Sequence, residues 1–335
     1  MVTNELIKSP NSNAKILEPA GWKPMVHLLT ELLLEAQRYV RKVEDLRSAT
    51  SLRDVRRCLL LIQWFATKPD PVYILSRLDS SVVQNDDDDD GDSTGGGIKG
   101  NLEDLSEKRL EAVILAVAHV YYYRLADLNI RSAFWNKVSR IFSRDPRWRN
   151  IFDAKGCEML LFQEQTKYCS QMELEKGIAL NDALRENLFV MMVSIFNRIP
   201  VFVVGKPGSS KSLAMQIISN NLRGASSPKR FWREFPAIHV VPYQCSPLST
   251  SESIRYQWNK ARSYQKKQKK VITVLLLDEV GLAELSPDMP LKVLHEVLTN
   301  NEVGIVGISN WVRVFGLFYF PLYLLFIFDT HTCIL

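Results

Sequence analysis

Cysteine is scarce and scattered in this 335-residue chain. Its five positions, Cys58, Cys157, Cys169, Cys245 and Cys333, include no C-x-x-C pair and no cysteine–histidine spacing suited to zinc. That excludes a zinc-binding module from this stretch and points to a reducing, cytoplasmic setting. A secretory leader is not evident, since residues 1–15 are polar and contain Glu5. An apolar run of bilayer length is also lacking: Val314–Phe328 is interrupted by Pro321 and falls short of the roughly twenty residues a helical span needs, so membrane association is not expected. Charge of one sign is modest, with a formal net of +5. The one basic run, Lys260, Arg262, Lys266, Lys267, Lys269 and Lys270, lacks interleaved aromatics in a known binding fold and reads as a solvated helix end rather than a nucleic-acid surface.

What is present is a length that allows two or three domains, a hydrophobic fraction of 46%, ample for a core, and two segments that carry chemistry. The first is Gly205-Lys206-Pro207-Gly208-Ser209-Ser210-Lys211-Ser212, directly after the β-branched run Val201–Val204. A strand ending in a glycine-rich turn that opens a helix aims backbone N–H groups and the helix's positive end at an anion. Gly205, Pro207 and Gly208 shape the turn, Lys211 reaches the β- and γ-phosphates, and the Ser212 hydroxyl joins a Mg²⁺ shell. Leu213, Ile217 and Ile218 give the helix its apolar face, and Gly224 is expected to stop it. Ser210 stands where the pattern GxxxxGK[ST] has its second glycine, so the match is not strict.

The second segment, Val274-Leu275-Leu276-Leu277-Asp278-Glu279, is a buried central strand capped by two acids. At the carboxyl end of such a strand, where open α/β sheets bind ligands, Asp278 is suited to hold the metal and Glu279 to orient the attacking water. Val303–Ser309 is a further apolar strand ending at Asn310. In ATPases of the AAA+ class a polar residue at that place contacts the γ-phosphate or the water, which makes Asn310 the candidate sensor.

The wording of these segments is more particular than AAA+ at large. Arg198 to Ala214, Gln244-Cys245-Ser246-Pro247 with Ser249-Thr250, Leu277 to Glu284 with Ser286-Pro287 and Met289 to Lys292, and Val306 to Trp311 together resemble mysterin-type proteins. These are giant ring-finger ubiquitin ligases built around a dynein-like row of AAA+ modules. The resemblance covers roughly residues 155–311, and the family's loop resembles this one in carrying serine at the position of Ser210. It implies an α/β fold, an incomplete AAA+ P-loop NTPase core with a parallel sheet and flanking helices, preceded by an all-α region. It further implies ATP and Mg²⁺ as ligands, neighbouring AAA+ modules and the ubiquitin machinery as partners, and a cytoplasmic location. An ATP-binding scaffold without turnover and a tail-anchored adaptor stand as alternatives.

Five segments are expected: a helical small (lid) subdomain of a preceding module over residues 1–70, an acidic and Gly-rich linker over 71–104, a helical connector over 105–177, the nucleotide-binding core over 178–311, and an anomalous apolar tail over 312–335. In the first, Trp22–Leu46 and Ser51–Phe65 read as amphipathic helices. Ser51 is a cap reciprocated by Asp54, with Leu52, Val55, Leu59 and Ile62 on the apolar face. The resemblance makes Arg53 the second sensor of that preceding module. In the linker, Asp86, Asp88, Asp90 and Gly91 imitate a calcium loop, but Gly97 stands where the bidentate glutamate is needed. Tyr121-Tyr122-Tyr123 reads as core. Because the family pattern stops at Trp311, the tail reads as a truncation or gene-model artefact, and Val201–Val204 is expected to lie at an open sheet edge.

Overall fold

The computed structural model describes residues 22–44, 50–68, 98–294, 302–310 and 325–328. The acidic run with its calcium-like spacing, Trp311 and residues 312–324 lie outside these.

Among the described residues six α-helices precede the sheet, and most begin where the sequence supplies an acceptor or an apolar stripe. Helix α1 (Val26–Val43) buries Leu29, Leu32, Leu33, Ala36 and Val40, the spacing of one helical face. Helix α2 (Leu52–Thr67) has the reciprocal cap: Ser51 Oγ accepts from the Arg53 amide at 3.3 Å and the Asp54 carboxylate from the Ser51 amide at 2.8 Å. Its buried face runs through Cys58, Leu59, Leu61, Ile62 and Phe65, while Leu52, expected inside, is 76% exposed because it sits in the first turn beyond the reach of the core. Helix α3 (Ile98–Val117) begins inside the stretch read as linker and continues into a π-helical turn, Ala118–Tyr122. Within that turn Tyr121 is buried, as is Tyr123 immediately after it. Helices α4 (Leu128–Val138), α5 (Ala154–Cys169) and α6 (Asp182–Phe196) are capped by Asp127, Asp153 and Asn181, each accepting backbone N–H bonds that would otherwise be orphaned.

The second half is a parallel sheet of β1 (Val201–Val204), β2 (Ala237–Gln244), β3 (Val271–Asp278), β4 (Gly304–Ser309) and β5 (Leu325–Phe328), in the order β2-β3-β4-β1-β5. Helix α7 (Lys211–Asn221) follows β1, α8 (Ser251–Lys267) follows β2, and a single turn, α9 (Val280–Ala283), follows β3. Helix α7 ends at Asn221, before Gly224, whose φ of +60° serves the next turn instead.

Strand side chains alternate between two cores, as the period of two dictates. Val201, Val203, Val274, Val306 and Ile308 join the large core shared with α1–α7, whereas Phe202, Leu275, Leu277 and Ile305 pack with Ile254 and Trp258 of α8 on the opposite face. Gly307 pairs with Phe202 in register, and a Cβ there would lie 2.3 Å from the Phe202 ring, so any side chain at this strand position must displace that ring.

A further expectation is overturned. β1 is not an edge strand, because Val201–Val204 pairs in parallel with Leu325–Phe328 on the side away from β4. The tail's aromatic and β-branched tetrapeptide Leu-Phe-Ile-Phe has the composition of a strand, and it supplies the backbone partners that β1 would otherwise lack.

Candidate functional site

Parallel strands bring their carboxyl ends to one edge, and here three chemistry-bearing segments meet. Val204 is in register with Ser309, Leu277 with Gly307, and Gln244 with Asp278. Gly205, the acids Asp278 and Glu279, and Asn310 therefore leave the sheet side by side. Direct bonds fix the group: the Gly205 amide donates to the Ser309 carbonyl at 3.1 Å, and the Gly281 amide to Ser309 Oγ at 3.2 Å. Ser309, 3% exposed, thus ties β4 to both the loop after β1 and the turn after β3.

The loop after β1 turns through left-handed backbone at Gly208 (φ +83°) and Ser210 (φ +62°), and nothing lies within 4 Å of a Cβ built on Gly208. Serine therefore occupies at 210 a conformation that glycine adopts at little cost. Lys211 is buried at 4% exposure at the start of α7, and its Nζ donates to the carbonyls of Gly205 at 2.7 Å and Lys206 at 2.8 Å and to Ser209 Oγ at 3.0 Å. The ammonium is thus held inside the ring that the loop forms. Lys206, Pro207, Gly208 and Ser212 face solvent.

On β3, Asp278 Oδ1 accepts from the Glu279 amide at 3.0 Å, and the Asp278 carbonyl accepts from the Cys245 amide at 2.8 Å. Glu279 is itself left-handed, at φ +52°, which turns its side chain out of the strand line as the chain enters α9. Asn310 Nδ2 donates to Glu279 Oε1 at 2.5 Å. Burial, reinforced by the charges of Asp278 and then Glu279, pushes the Cys245 thiol up to about 12, so it is a neutral packing group beside the acids.

The donor set fits a nucleotide with a hard divalent cation. A hydroxyl at Ser212 and a carboxylate at Asp278 are oxygen ligands of the kind Mg²⁺ prefers, and a buried ammonium at a helix N-terminus suits phosphate. Sequence reasoning passed over Asn187 of α6, whose Nδ2 donates to the Ser209 carbonyl at 3.0 Å. A signal was available in an amide that stands directly before the apolar run Leu188–Val193.

A phosphate-type loop between β1 and α7, an acidic strand end and the order β2-β3-β4-β1-β5 define the core of an AAA+ P-loop NTPase. A family profile described as the RNF213 AAA domain matches residues 177–313. The chain is 34% identical over 296 residues to the human E3 ubiquitin-protein ligase RNF213, 33% identical over 296 residues to that of mouse, and 32% identical over 302 residues to the zebrafish E3 ubiquitin-protein ligase rnf213-beta. Each match covers 85% of this chain and 5% of the relative. The chain belongs to the RNF213, or mysterin-type, family, and it spans 5% of the length of those relatives. Among the described residues no helix is long and apolar enough to cross a membrane.

Proposed function

We propose that residues 178–311 bind ATP with Mg²⁺ and hydrolyse it, as one AAA+ module within a much longer ubiquitin ligase. The observation that carries the reading is the convergence of Lys211, Asp278, Glu279 and Asn310 at one edge of the sheet, with Ser309 bonded to both flanking turns. Gly205 to Ser210 cradle the phosphates through backbone amides, and Lys211 neutralises β- and γ-phosphate charge. Ser212 and Asp278 hold Mg²⁺, which when bound offsets charge on the phosphoryl oxygens. Glu279 orients and deprotonates the attacking water, and Asn310 reads the γ-phosphate.

The Asn310–Glu279 bond gives the site a resting arrangement. While Asn310 donates to Glu279, the carboxylate is committed to an amide rather than to water. Recruitment of the Asn310 amide by a γ-phosphate frees the base only when substrate is in place. The same bond favours a second reading, an ATP-binding scaffold whose base stays engaged and does not turn over.

Neighbouring AAA+ modules of the full-length protein supply the remaining groups, including an arginine finger worth ~10³–10⁵ in rate. Arg53 acts as second sensor for a module that precedes this one, and the ubiquitin machinery engages other regions of a cytoplasmic protein. Phosphate release by the full-length protein separates the two readings. Glu279→Gln is expected to retain Mg–ATP and lose turnover by about 10²–10⁴, whereas an unchanged rate removes the hydrolytic role and leaves the scaffold.

A further inference from the structure

We propose that Asn187 is a positioning residue for the phosphate loop, setting the direction of the Ser210 N–H through its bond to the Ser209 carbonyl. The inference rests on the loop being a phosphate site and adds a residue outside the loop and both acidic segments.

Asn187 is 2% exposed on α6, followed by the buried apolar residues Leu188, Phe189, Val190, Met191, Met192 and Val193. An amide buried there costs stability unless it is paired, so apolar packing alone would favour leucine. Its Nδ2 donates to the Ser209 carbonyl at 3.0 Å. The helix that carries it is itself anchored one residue earlier, where Arg131 Nη1 reaches both Glu186 oxygens at 2.9 Å while Arg131 Nε donates to the Leu125 carbonyl at 2.7 Å.

The Ser209–Ser210 peptide is planar and trans, so its C=O and N–H point in opposite directions. Holding the carbonyl toward α6 therefore turns the Ser210 N–H away from α6. The need is local: Ser210 is left-handed at φ +62° without the freedom of glycine, and its peptide must be kept in that orientation against a side-chain penalty. On the other side of the same residue, Ser209 Oγ accepts from Lys211 Nζ at 3.0 Å, so Asn187, Ser209 and Lys211 form one line of bonds from α6 to the buried ammonium.

The test uses the 335-residue chain with Asn187→Leu and Asn187→Asp, which remove the donor and conserve approximate size. Three quantities are measured: affinity for Mg–ADP and for magnesium tripolyphosphate, amide hydrogen exchange at residues 207–212 without ligand, and the ligand-free melting temperature. Expected are roughly tenfold weaker binding of both probes, the loss of one hydrogen bond's worth of loop order, faster exchange at Ser210, and a melting temperature for Asn187→Leu lowered only modestly, by the one carbonyl left unpaired. Unchanged affinity and unchanged Ser210 exchange, with only the melting temperature lowered, overturn the proposal and leave Asn187 a packing group. Where Asn187→Leu does not fold, Asn187→Asp decides by the same comparison. Wild-type protein that binds neither probe refutes the nucleotide reading instead, and Ser210 exchange, faster or unchanged in the variants, then decides the role of Asn187 by itself.

Discussion

Asn310 Nδ2 lies 2.5 Å from Glu279 Oε1, so the residue directly after β4 holds the acid that follows β3. Two strands that pair as neighbours in the sheet thereby share a side-chain bond just beyond their ends, where the proposed function brings γ-phosphate and water together. Asn310→Ala is expected to lower ATP turnover by about 10–10³, an effect comparable to losing one preorganised polar group, while ADP affinity changes by less than about threefold, since ADP carries no γ-phosphate. Steady-state phosphate release and ADP titration on the same preparation check this. A fall in ADP affinity as large as the fall in rate would place Asn310 in general nucleotide binding.

Gly307 faces Phe202, whose ring would lie 2.3 Å from an added Cβ. Gly307→Ala is therefore expected to destabilise the chain by about 1–3 kcal/mol through overpacking between neighbouring strands. Gly307→Ala combined with Phe202→Leu is expected to recover part of that loss. Denaturant midpoints of the two variants measure both.

His119 is fully buried in the π-helical turn, with Nε2 at 3.0 Å from Ser194 Oγ, and burial lowers its pKa to about 3. The unfolded chain takes up that proton near pH 6.5 and the folded chain only near pH 3. Between those values the unfolded state binds more protons, so this group makes stability fall as pH drops, by at most about 1.4 kcal/mol per unit. Chemical denaturation at pH 7 and pH 5 is expected to show that slope reduced in His119→Met. An identical pH dependence in wild type and variant would assign the acid sensitivity elsewhere.

The pairing of β1 with β5 predicts that removing residues 325–335 exposes the Val201–Val204 ladder. The shortened chain is expected to aggregate at concentrations where the longer one stays monodisperse in light scattering. Equal behaviour would mean that the β5 pairing contributes nothing to solubility.

Much of the candidate site could be proposed from sequence because its parts are contiguous words. A strand, a glycine turn and Lys211-Ser212 stand in one run of residues, and the acids directly end an apolar strand. Local chemistry suffices to read such units, including the Ser51–Asp54 cap of α2. The features that escaped depend on partners distant in sequence. Asn187 meets Ser209 only once α6 packs against the loop, Ser309 becomes a bridge only through sheet register, and Leu325–Phe328 reads as an apolar tail until β1 offers it an edge. Leu52 shows the opposite error: its helical phase fits the apolar face, but the first turn of α2 overhangs the core and leaves it 76% exposed.

The central claim is that this loop holds ATP through the buried ammonium of Lys211, whose Nζ lies 2.7 Å from the Gly205 carbonyl and 3.0 Å from Ser209 Oγ. Calorimetric titration of Mg–ATP into wild type and Lys211→Ala tests it most directly. The expected result is saturable binding by wild type and roughly 10–100-fold weaker binding by Lys211→Ala, the loss of charge-assisted contacts to phosphate. Equal affinity of the two proteins for Mg–ATP would contradict the account.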